Sequence, residues 1–191
     1  MTTSQGHVAR YKRMAGNVFG VTMLSLAVLV TIETLLRKLL SVSLGGVDEL
    51  AGYSIALSAP LCFAVALLER SHIRINILYI YLRPRVKAWL DYLSVLSLGV
   101  LALFLFGFTV KTVLETQAYQ SIAQTPWATP LIYPQAVWLV SMTLFLVPAL
   151  WLQIRALSLL TGGHMAALST EFGPDTPEAE LKAELEDLRR R

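Results

Sequence analysis

The chain has 191 residues, 55% of them apolar and 15% charged, where an ordinary soluble domain has about a quarter charged. Lipid is therefore the expected solvent. The 16 basic and 13 acidic residues leave a net charge of +3, but outside the tail most basic residues flank apolar runs, so the balance argues for a membrane and against nucleic acid.

Residues 1–16 read as a cytoplasmic arm carrying Arg10, Lys12 and Arg13. A first apolar run follows, from about Asn17 to Leu36. It is too long for the core of a signal peptide, and no small-residue cleavage site precedes Arg37 and Lys38, so it is expected to stay as a membrane span. Three more runs, near Leu50–Leu68, Leu90–Leu114 and Tyr133–Leu152, approach the roughly 20 residues that cross a hydrocarbon core of about 30 Å. The expected fold is an all-α membrane protein of four transmembrane helices, with residues 17–160 as its membrane domain.

The connections differ in character. Between the first and second spans, Arg37 to Glu49 contains Gly45-Gly46 and then Asp48-Glu49, acids suited to a helix start by the helix dipole. Glu49 is expected at an exposed helix end. After the second span, Glu69 to Leu82 has Ile73, Ile77, Ile80 and Tyr81 on one stripe and Glu69, His72 and Asn76 on another face, the pattern of an interfacial helix closed by Arg83-Pro84. The third connection, Gln117 to Pro134, holds Pro126, Pro130 and Pro134 among Thr125, Trp127, Thr129 and Tyr133, and reads as a structured loop with aromatic anchors. Gly162-Gly163 suits the end of the last span. Residues 161–191 form a polar cytoplasmic tail in which Thr176-Pro177, Glu178 and Glu180 open a short helix with a Leu181, Leu185, Leu188 stripe, a partner-docking face or a solvated one.

Orientation follows from the short basic flanks. Arg10, Lys12, Arg13, Arg70, Arg74, Arg83, Arg85, Lys87 and Arg155 fall on one side, against Arg37, Lys38 and Lys111 on the other. Both termini are thus expected inside.

Candidate chemistry is sparse. The single cysteine, Cys62, is next but one to Pro60 in the second run; it reads as a packing residue and gives neither a disulfide nor a thiolate cluster within one chain. The small residues Gly52, Ser54, Ala56, Ser58 and Ala59 allow another helix to come close. Charged residues in spans default to functional candidates, yet Glu33 is four before Arg37 and Lys111 four before Glu115, so each pairs along its own helix near an end. No histidine lies mid-span, which removes the ligands for an intramembrane haem or zinc site. His72 has no nucleophile-elbow serine to serve. No catalytic residue, cofactor or metal is expected.

Arg37 after the first span, Asp48-Glu49-Leu50-Ala51-Gly52-Tyr53 opening the second and Arg70-Ser71-His72-Ile73-Arg74-Ile75-Asn76 after it resemble the small, Q-type membrane subunit of tripartite ATP-independent periplasmic (TRAP) transporters. Those subunits show an Arg after helix one, an acidic-Glu-Leu-Ala start to helix two, then Arg-x-x-His-Ile-x-Val-Asp, and Thr125-Pro126 with Pro134 also fits. The resemblance spans about residues 16 to 160. Asn76 departs from the usual Asp and Ile75 from Val. The resemblance implies a subunit of the bacterial inner membrane that braces a large membrane subunit, helps receive a periplasmic substrate-binding protein and serves sodium-coupled import of an organic acid without holding the substrate. It singles out Arg37, Glu49, His72 and Arg74 as structural or interface positions. Rival readings are an oligomeric channel or small exporter and a four-helix membrane enzyme, the latter short of a nucleophile, a metal cluster or a cysteine pair.

Overall fold

A computed structural model describes residues 2–69, 79–174 and 185. Among them the secondary structure is helical: α1 (Thr2–Leu40), α2 (Val47–Glu69), a single 3-10 turn (Tyr79–Tyr81), α3 (Pro84–Tyr119), α4 (Ile132–Thr161) and α5 (Met165–Phe172). The first four α-helices are each long and apolar enough to cross a membrane.

All four helices outrun the apolar windows expected of them. Hydropathy marks only the segment matching the hydrocarbon thickness, whereas the helix itself runs on until a breaker stops it. α1 is helical back to Thr2, through the basic arm, and forward past Arg37 and Lys38, which become its last turn. It stops at Ser41, which adopts a positive φ. α3 begins at Pro84 rather than near Leu90, because proline is suited to a first helical position and the Arg83 carbonyl accepts from the amides of Val86 (2.9 Å) and Lys87 (3.0 Å). Pro84 therefore opens α3 directly after the break expected at Arg83-Pro84, the turn before it ending at Tyr81. The third connection is correspondingly shorter, since Gln117–Tyr119 belong to α3 and Pro134 sits in the first turn of α4. Pro60 and Pro148 lie inside α2 and α4 without ending them.

α4 ends as expected at the glycine pair, with Gly163 at φ +72 and the His164 amide reaching back to the Leu159 carbonyl at 3.0 Å. The chain then turns into α5, which the sequence reading left within a polar tail. Its signal is short: Met165, Leu168 and Phe172 occupy positions i, i+3 and i+7 of one face. The expected helix from Thr176 onward lies outside the described residues except for Leu185. So does most of the interfacial helix, of which only the turn Tyr79–Tyr81 and Leu82 with Glu69 are described.

The described residues fall into two compact units, one comprising α1, α2 and residues 99–150, the other residues 79–98 and 151–174. In the first, α1 packs on α2, Phe63 meets Phe145 with ring centroids 5.9 Å apart, and the Tyr11 hydroxyl donates to the Leu144 carbonyl at 2.9 Å. Buried hydroxyls at helix depth, Thr109 and Ser141, donate to carbonyls one turn back (2.9 and 3.2 Å), the cheap solution for a polar group in an apolar span. In the second unit, Ala88, Val95, Ala156, Leu168 and Phe172 form an apolar core flanked by Tyr92, Leu152 and Met165.

Candidate functional site

The two buried carboxylates of the first unit, Glu33 and Glu49, stand at its α1–α2 and α3–α4 connections. Glu33, about two turns before the end of α1, is only 6% exposed. One of its oxygens accepts from the Arg37 guanidinium (2.7 Å) and the Ser43 hydroxyl (2.6 Å), and the other from the Leu44 amide (2.8 Å). The i, i+4 pairing with Arg37 was legible in the sequence. The other two bonds fold the connection back onto the carboxylate, and a serine ten residues away gives no periodic signal for that. The Ser43 hydroxyl in turn accepts from the Gly45 amide at 3.1 Å. A buried carboxylate is tolerable only when hydrogen bonds replace its water, and here one side chain closes a whole turn.

Glu49 plays a like part for the α3–α4 connection. It lies in the first turn of α2 but is 7% exposed, which corrects the expectation of an exposed helix end. The Tyr53 hydroxyl, one turn along α2, donates to it at 2.6 Å, and the Thr125 hydroxyl donates to its other oxygen from 76 residues away. The α3–α4 connection is held in shape for this contact. Ile122 and Pro130 form an antiparallel bridge, the Ala123 amide donates to Thr129 (2.9 Å), the Leu131 amide to Ser121 (3.0 Å), and the Ala128 amide closes the turn on Thr125 (3.0 Å). Trp127, at the tip of that turn, lies flat against Gly46, where any Cβ would collide with the indole. The pair of glycines read as a simple turn signal thus also serves as a seat for a tryptophan. Lys111 and Glu115 pair at 3.7 Å along the exposed face of α3, as expected.

The second unit has its own polar ties. Asp91, buried at 2% exposure, accepts from the Tyr79 hydroxyl at 2.7 Å, and the Lys87 ammonium stands 5.1 Å above the centre of the Tyr79 ring. Arg155 of α4 grips Glu171 of α5 through two nitrogens at 3.0 to 3.3 Å. Asp91 and Glu171 were not singled out from sequence. The available signal was Lys87 to Asp91 at i, i+4, and an acid on the exposed side of the α5 stripe.

Of the four positions the resemblance singled out, Arg37 and Glu49 stand in the same unit at neighbouring carboxylate hubs, while His72 and Arg74 lie outside the described residues. Chemically, these hubs accept hydrogen bonds from their own chain and offer no nucleophile paired with a base. Among the described residues no group of three or more His, Cys, Asp or Glu could hold a metal ion.

No curated protein and no solved structure matches the chain. A family profile does: that of the tripartite ATP-independent periplasmic transporters, DctQ component, over residues 26–159. The matched stretch runs from the middle of α1 to the last turn of α4 and contains both carboxylate hubs. The chain is thus a transport protein, and it belongs to the DctQ family, the small membrane subunit of TRAP transporters.

Proposed function

We propose that this subunit is a brace for the large membrane subunit of a sodium-coupled importer, receiving an organic acid from a periplasmic binding protein and holding no substrate site of its own. It lies in the bacterial inner membrane with both termini in the cytoplasm, so that the α1–α2 and α3–α4 connections face the periplasm. The observation that carries this reading is the fate of the buried carboxylates. Glu33, Glu49 and Asp91 are all occupied by hydrogen bonds from their own chain, and the faces at bilayer depth are apolar. Such faces cannot replace the water around a carboxylate substrate or a sodium ion. α1 instead leaves Val21, Leu24, Val28, Ile32 and Leu35 exposed along one side, a surface suited to a larger membrane partner.

Arg37 and Glu49 shape the periplasmic connections in this reading, and His72 and Arg74 are structural or interface positions on the cytoplasmic side. In vesicles with an inward sodium gradient, the subunit alone should give no uptake and the three-part system should. Glu49→Ala should lower the rate without changing substrate preference. Sodium-driven uptake by this chain alone, or a preference that shifts with Glu49, would overturn the assignment. Orientation is read separately: in a Cys62→Ala background, a cysteine at exposed Gln124 should react with a membrane-impermeant thiol reagent in intact cells, and one at exposed Thr170 should not.

A further inference from the structure

A groove of about 360 Å³ lies between the end of α1 and the start of α2, within the usual range of small-ligand sites of about 300 to 1,000 Å³. Val30, Glu33, Thr34, Arg37 and Lys38 line it from α1, positions that share one helical face, and Val47 and Asp48 line it from α2. Its charges are not equivalent. Glu33 is consumed by the connection, as described, and Arg37 gives it one nitrogen. Lys38 and Asp48 have no ion-pair or hydrogen-bond partner among the described residues, and Asp48 is exposed.

We infer that this groove binds a phospholipid with a zwitterionic, primary-ammonium headgroup, that is, a phosphatidylethanolamine. The groove sits at a helix end in a membrane-spanning chain, where phospholipid headgroups are the most abundant solutes. Arg37, a planar donor steadied by Glu33, and Lys38, a mobile point charge, suit the phosphodiester. Asp48 suits an ammonium carrying N–H donors, and offers nothing comparable to a quaternary choline, which has none. Further along the α1 face, Val30 and Ala27 are exposed and continue the stripe toward the hydrocarbon, giving an acyl chain an apolar track. With one unpartnered cation and one unpartnered anion in the groove, the complementary ligand is a zwitterion rather than a net anion.

The test is lipid retention by the full chain, purified in mild detergent together with its large partner and read by native mass spectrometry after exchange into mixed phosphatidylethanolamine and phosphatidylglycerol. The wild type should keep one phosphatidylethanolamine that Lys38→Ala releases, with retention reduced about tenfold, as expected for one charge-assisted contact. Asp48→Asn should invert the preference toward phosphatidylglycerol, an outcome that simple loss of folding cannot produce. Lys111→Ala, which removes a cation from the exposed face of α3, should change nothing. Three results would overturn the inference: a wild type that prefers phosphatidylglycerol, equal retention in all variants, or displacement of the lipid by excess inorganic phosphate, which would mark a free-anion site.

Discussion

The two units of this protein solve the same problem, holding a chain reversal in place, by opposite means. Where α1 turns into α2 and α3 into α4, the large apolar residues Val42, Leu44, Ile122 and Trp127 of the connections all stay exposed, so little apolar area is buried. Order there comes from carboxylates, Glu33 and Glu49, whose oxygens collect donors from the connections, and from the seating of Trp127 on Gly46. Where α4 turns into α5, the chain supplies Leu168 and Phe172, both buried, and order comes from an apolar core with one ion pair at its edge. The difference teaches that the polar ties are directional and locate specific atoms, whereas the apolar core mainly keeps a short helix attached.

The largest expected effect belongs to the apolar side. Leu168 is fully buried, and Leu168→Ala removes its packing and leaves a cavity, a loss of about 2 to 5 kcal/mol. Hydrogen exchange of α5 should rise to the level of an unprotected segment; protection that survives the substitution would mean that this core does not hold the helix. Next comes the seat of Trp127. Gly46→Ala drives a methyl group into the indole and should cost about 1 to 3 kcal/mol in thermal unfolding in detergent, with Trp127→Ala in the same chain restoring most of it. Additive losses from the two substitutions would show that the contact carries no coupling. The smallest effect is at the edge of the second unit. Arg155→Ala should barely alter exchange in α5, and high salt should make the wild type behave like the variant, because the ion pair is open to solvent. A salt-resistant loss as large as that of Leu168→Ala would mean that the ion pair, not the apolar core, holds α5.

The legibility of these features tracks how local they are. The four spans, the pairings Glu33–Arg37 and Lys111–Glu115, and the stop at Gly162-Gly163 all depend on residues within a turn or two, and each could be read from spacing. The exposure of Glu49 could not, since the hydroxyl that buries it belongs to Thr125, on another connection. α5 was missed for a different reason: eight residues with three apolar positions give too little periodicity to stand out from a polar tail.

By itself the sequence determined the solvent, the number of spans and the family, because a bilayer imposes its thickness on contiguous stretches of chain and a family profile reads residues in order. Tertiary structure alone decided which carboxylates are buried hubs, why Gly46 must be glycine, and that Leu168 and Phe172 belong to a core. Those outcomes depend on groups brought together from distant positions, Glu49 with Thr125, Gly46 with Trp127, Ala88 with Leu168, and whether a polar group is costly or stabilising is settled only by the partner that arrives.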